Sequence, residues 1–194
     1  MKLEKLISNM LLLQSSKVIT LEPRINRPPI IAFAGTQNYK DIIMYDIDVR
    51  RKFWPIENKK TNAGGGDVHR GFARRTACLM HEIKNFTDTY DNFVIGGHSL
   101  GGSCAILCAS SLKNKNKTIK AVYTFGVPKL ATTKFRSYYM NQELWDITTN
   151  YITPNDVVVN LPIKYKSVGK DIVLDFESVN GILSHDLTIY NELI

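Results

Sequence analysis

The segment GHSLG, positions 97–101, sets a serine between two glycines where an apolar run, NFVIGG (92–97), gives way to a helix-like run, SCAILCASSLK (103–113). A strand that turns at once into a helix holds its central residue in a strained conformation, and only very small neighbours let the two elements pass so closely. Ser99 is the residue so presented, with Gly97 and Gly101 as the small neighbours. The next N–H, that of Leu100, opens a helix and can donate to a developing oxyanion. A serine hydroxyl is a weak nucleophile at neutral pH, so acyl transfer at Ser99 demands a base and a carboxylate to orient that base.

In sheets that carry such a turn the carboxylate follows the serine in the chain, and the histidine follows the carboxylate. Of the four histidines only His185 lies beyond Ser99, which makes it the candidate base. His98 reads as the variable position of the turn, His81 as a helical residue, and His69 as a structural hydrogen-bonding residue in a tight turn before Gly71. The acids between Ser99 and His185 are Glu143, Asp146, Asp156, Asp171, Asp175 and Glu177. Asp156 stands just past a strand-like run, on the turn formed by Pro154 and Asn155, where loops leave the carboxyl edge of a parallel sheet. It is the candidate carboxylate. Asp171 and Asp175 flank IVL in what reads as a peripheral hairpin.

The elements that must position these groups follow from hydrophobic periodicity. Residues 3–14 place Leu3, Leu6, Ile7, Met10 and Leu11 on one helical face, which predicts an amphipathic helix, packed on the body in the first reading and lying on a membrane surface in the second, rather than a leader or a membrane span. Short β-branched runs predict strands at 17–21, 28–35, 92–97, 119–126 and 146–153. Helical spacing predicts helices at 68–90, 103–113, 133–142 and 185–193. NAGGGDVH, 62–69, is the only glycine run and reads as a flexible connection, because no Lys-Ser or Lys-Thr follows it to make a phosphate loop. Strands separated by helices predict an α/β fold, a mostly parallel sheet flanked by helices, in a single domain spanning 1–194.

The formal charge of +7 would suit an anionic partner, yet Lys and Arg are scattered and are not interleaved with aromatic residues as a base-stacking surface requires. Nucleic acid is therefore not expected. Cys78, Cys104 and Cys108 form no Cys-x-x-Cys pair and no zinc pattern, and Cys104 and Cys108 share one helix face as small buried thiols. That usage favours a reducing, cytoplasmic setting.

Taken in order, these motifs resemble the class 3, fungal-type triacylglycerol lipases of the α/β-hydrolase fold. IIAFAGTQNYKDII (30–43) resembles the family's oxyanion strand, VHRGF (68–72) its His-x-Gly-Phe, GHSLGGSCAILCAS (97–110) its nucleophile turn and helix, YTFGVPKL (123–130) its Thr-Phe-Gly-x-Pro, and NDVVVNLP (155–162) its Asp-x-Val-x-x-Leu-Pro. The resemblance implies Ser99 as nucleophile, Asp156 as orienting acid and His185 as base. It makes Thr36 the first oxyanion-hole residue, with the Leu100 N–H as the second donor. The family's usual Arg before the oxyanion glycine is Ala34 here, and its Trp after Asp41 is Ile42. Only residues 37–47 are available as a lid, and the disulfides of secreted members are missing.

The expected activity is hydrolysis of carboxylic esters, acylglycerols first among them, with neither metal nor organic cofactor. A phospholipase A or short-chain esterase is the neighbouring alternative, and a non-catalytic lipid-binding protein of the same fold is the rival from another class. The expected partners are the lipid or ester substrate and, peripherally, lipid surfaces; no obligate protein partner is evident.

Overall fold

The computed structural model describes residues 2–13, 17–36, 50–56, 64–176, 181 and 183–194. The candidate lid at 37–47, with Asp41 and Ile42, and the acid Glu177 lie outside the described residues.

Six strands form the central sheet: β1 (Val18–Leu21), β2 (Ile30–Phe33), β5 (Asn92–His98), β6 (Thr118–Phe125), β7 (Thr148–Ile152) and β8 (Lys170–Val173), side by side in that order. All neighbouring pairs are parallel except β1 with β2, which is antiparallel. Alternation along the strands splits the core between two faces. Ile31, Phe33, Phe93, Ile95 and Val122 face one layer, together with α2 (Arg70–Glu82), α4 (Leu100–Asn114) and α5 (Thr133–Asn141). Ile30, Ala32, Val94, Phe125 and Tyr151 face the other, which holds α1 (Leu3–Leu13) and α6 (Leu187–Leu193). The sheet is thus mostly parallel and covered on both faces, as the sequence predicts.

Helix α4 is buried from Leu100 through Leu112, so its sequence is apolar or small all round instead of striped. Each fully buried Leu or Ile in such a helix contributes about 1.5–3 kcal/mol. The N-terminal helix packs as expected, with Ile7, Met10 and Leu11 buried and Leu13 in solvent. Its contact with β5 is close enough that a Cβ on Gly96 would lie 2.6 Å from Ile7 Cγ2. Among the described residues, no helix is long and apolar enough to cross a membrane.

Three expectations need correction. The helix predicted over 68–90 begins at Arg70 and is interrupted at Ile83, from which a short α3 (Lys84–Thr89) continues. Val68 and His69 instead close a strand, β4 (Gly66–His69), paired antiparallel with β3 (Arg51–Trp54), so the described end of the glycine run is strand and not a flexible connection. The Trp54 indole N–H donates to the Leu107 carbonyl at 2.9 Å, which ties that hairpin to α4. His69 accordingly sits at a strand end, fully buried, with its ring 4.2 Å from that of Phe72. Residues 170–173 are likewise no hairpin but the outer parallel strand β8, whose four exposed residues reflect a sheet edge in water.

Candidate functional site

The carboxyl ends of β2, β5, β6 and β7 converge on Ser99, and the sequence around it explains how. Ser99 has φ 54° and ψ −125°, a left-handed conformation that L-residues adopt only under local constraint. Its N–H donates to the last carbonyl of β6, Phe125 O, at 2.8 Å, and its carbonyl accepts from Gly102 N–H at 2.9 Å. The glycines on either side are required by space. A Cβ on Gly97 would lie 2.2 Å from Gly101 O, and one on Gly101 would lie 2.1 Å from Phe33 O. Strand, turn and helix therefore touch through bare backbone, and the hydroxyl is held at the sheet edge.

Two of the other predicted residues meet Ser99 there. His185 Nε2 lies 2.7 Å from Ser99 Oγ, and His185 Nδ1 lies 2.7 Å from Asp156 Oδ2. A carboxylate only accepts, so Nδ1 carries the ring proton and Nε2 is left to accept from the serine hydroxyl. All three side chains are buried, which strengthens these bonds by excluding water. Asp156 has two further donors: the Val158 N–H at 2.8 Å to Oδ1 and the Tyr190 hydroxyl at 2.6 Å to Oδ2. Burial and the neighbouring Asp156 charge push the Tyr190 phenol well above its ordinary range, so it stays a donor.

Leu100 and Thr36, the expected oxyanion residues, both lie next to Ser99 or to the backbone beside it. Leu100 is the first residue of α4, and a first-turn N–H has no acceptor within its own helix. Thr36 follows Gly35, at which an added Cβ would be 3.2 Å from Ser99 Cβ. The arrangement can pass a proton from the Ser99 hydroxyl to the His185 imidazole.

Three contributors were not legible as site residues. Gly126 has φ 59°, and a Cβ there would lie 2.8 Å from Asp156 Oδ2 and 2.9 Å from His185 Nδ1, so its absence of side chain makes room for the acid–base pair. Tyr190, five residues after His185, would have been found only by asking what else could reach Asp156 from the last helix. His98, read as a variable position, has its Nε2 2.9 Å from the His185 carbonyl oxygen, while burial, and then the neighbouring His185 charge, push its pKa down to about 4. The acids set aside lie elsewhere: Asp171 accepts from Asn150 Nδ2 at 2.9 Å on the edge strand, Glu143 and Asp146 face Lys113 and Lys170, and Asp175 is exposed. Burial raises the Cys104 thiol to about 11 and Cys108 further still, which keeps both neutral. Among the described residues, no group of three or more His, Cys, Asp or Glu side chains converges to hold a metal ion.

A family model described as Lipase (class 3) matches residues 30–166. Toxin TseL of Vibrio cholerae is 30% identical over 133 residues, covering 63% of this chain and 18% of that protein. A lipase of Rhizomucor miehei is 25% identical over 142 residues, covering 68% of this chain and 37% of its own length. The chain therefore spans well under half the length of either curated relative. The crystal structure of a lipase from Rhizopus microsporus var. chinensis superposes with a TM-score of 0.65 at 19% identity, over 83% of this chain and 57% of that one.

Proposed function

The chain belongs to the class 3 lipase family, and on that premise we propose that it hydrolyses carboxylic esters of lipids, acylglycerols first among them, with Ser99 as nucleophile, His185 as general base and acid, and Asp156 as the carboxylate that orients the imidazole. The observation that carries this reading is the unbroken hydrogen-bond chain from Ser99 Oγ through His185 to Asp156.

His185 Nε2 takes the hydroxyl proton as Ser99 Oγ bonds to the ester carbonyl carbon, and Asp156 stabilises the imidazolium that results. The carbonyl oxygen, now an oxyanion, is met by the Leu100 N–H and by Thr36, donors whose individual loss typically costs about a hundredfold or more in rate. Collapse expels the alcohol, which leaves with the proton from His185. Water then adds to the acyl-enzyme as His185 takes its proton, and collapse returns that proton to Ser99 and frees the carboxylic acid.

Ser99 is buried at the sheet edge, and membership of a lipase family favours an acyl chain delivered from a lipid surface over a small dissolved ester. The net positive charge would assist adsorption to anionic lipid, by up to about 1 kcal/mol per well-placed cation. Titration of released acid from an emulsified triacylglycerol, a phospholipid dispersion and a dissolved short-chain ester separates the substrates. A steep rise in rate above the solubility limit is expected, and its loss in Ser99→Ala. Turnover of dissolved ester with no rise at the interface would favour a short-chain esterase, and preference for the phospholipid a phospholipase A. Retention on liposomes with no turnover of any ester would point to a non-catalytic lipid binder and overturn the reading.

A further inference from the structure

Resting on that reading of Ser99 and His185, we propose that His98 is a positioning residue: a strut between the nucleophile turn and the base, which fixes where His185 stands relative to Ser99.

Among the described residues, the base ends a 3-10 turn, Leu183–His185, just before α6. Side chains from outside that turn grip its main chain. The Thr153 hydroxyl donates to the Ser184 carbonyl at 2.8 Å, and His98 Nε2 reaches the His185 carbonyl at 2.9 Å. A carbonyl only accepts, so His98 carries its proton on Nε2. Its ring also packs against the His185 ring at 5.0 Å between centroids and against Tyr190 at 6.2 Å. On the opposite side the absence of a side chain at Gly35 lets His98 in, since a Cβ there would lie 2.8 Å from Nδ1.

His98 is covalently joined to Ser99, which makes the contact more than packing. The strand end that delivers the nucleophile also pins the backbone of the residue whose imidazole must face it, across 87 positions of sequence. A change in the relative position of these two residues acts directly on proton transfer, and a misplacement of about 1 Å can cost about a hundredfold. The titratable groups around His98 are His185, Asp156 and Asp186, and burial holds its pKa down to about 4, so it is neutral at neutral pH. It therefore serves as a fixed donor and does not compete for the serine proton.

The test pairs His98→Leu, which removes the donor, with His98→Gln, whose amide nitrogen reaches about as far as Nε2 and can donate to the same carbonyl. For each folded variant, kcat and KM on a soluble p-nitrophenyl ester and the rate of inactivation by a fluorophosphonate are measured beside wild type and Ser99→Ala. Expected for His98→Leu is a fall of about tenfold to a hundredfold in kcat and in inactivation rate, with KM within about twofold. His98→Gln should recover most of both rates. Wild-type rates in His98→Leu would overturn the proposal, and so would a Gln variant as slow as Leu at equal thermal stability, because the imidazole would then matter only as filling. If wild type and Ser99→Ala behave alike toward the fluorophosphonate, the reading of Ser99 fails and the strut with it.

Discussion

The two halves of the site are held in place by different physics. On the nucleophile side, β5, Ser99 and α4 form one continuous stretch in which position is set by main-chain contact: Gly97 against Gly101, Gly101 against Phe33, and a helix buried from Leu100 through Leu112 behind. On the base side, Asp156 comes from a loop and His185 from a 3-10 turn, and what fixes them is a set of polar bonds between residues distant in sequence. His185 with Asp156, Tyr190 with Asp156, Thr153 with Ser184 and His98 with His185 are 29, 34, 31 and 87 positions apart. Damage on the first side should therefore cost the fold, and damage on the second should cost the rate while the fold survives.

The largest separation of the two effects should come from Asp156→Asn. It keeps size and some hydrogen bonding but presents the wrong partner to Nδ1, and a loss of about ten-thousandfold in kcat is expected with a folded protein by circular dichroism. An equally large collapse of thermal stability would break the comparison. Gly101→Ala should do the opposite. One methyl group forced against Phe33 O should destabilise by about 3 kcal/mol or more, read as a lower denaturant midpoint, before any kinetic effect on the remaining folded fraction.

A third expectation uses pH. His98 is held near 4 in the fold against an ordinary 6.5, so between those values the unfolded chain binds the extra proton and stability falls as pH drops. Its share of the loss is on the order of 3 kcal/mol from pH 7 to pH 4. Denaturation of wild type and His98→Gln across that range should show a shallower decline in the variant, and parallel curves would contradict it. The smallest effect is expected for Tyr190→Phe, which removes one of three donors to the carboxylate: about a tenfold fall in kcat with KM unchanged, since a hydrogen bond to a charged group contributes about 1.5–3 kcal/mol, part of it recovered by relaxation.

The same contrast governs what could be read from the residues alone. Ser99 and its glycines were legible because a local pattern of five positions encodes a local geometry, and the strands of the central sheet were legible because buried parallel strands are short apolar runs. His185 was legible by chain order, and Asp156 by its place after β7. Recognition of His98 and Tyr190 failed for a physical reason: their partners are a backbone carbonyl and a carboxylate far along the chain, and nothing in the spacing announces either contact. The pairing of β3 with β4 is not legible in the sequence, because RKFW carries two exposed cations ahead of its buried Trp54 and shows no clean alternation. Strand β8 reads as a peripheral hairpin because its four residues are exposed at the sheet edge, and nothing in KDIV marks it as the parallel partner of β7.

Activation of Ser99 by His185 for acyl chemistry is read by intact-mass spectrometry after treatment with a fluorophosphonate of wild type, Ser99→Ala and His185→Ala. One adduct on wild type and none on either variant, all three folded, is the predicted result. No adduct on folded wild type, or an adduct that persists in Ser99→Ala, would contradict it.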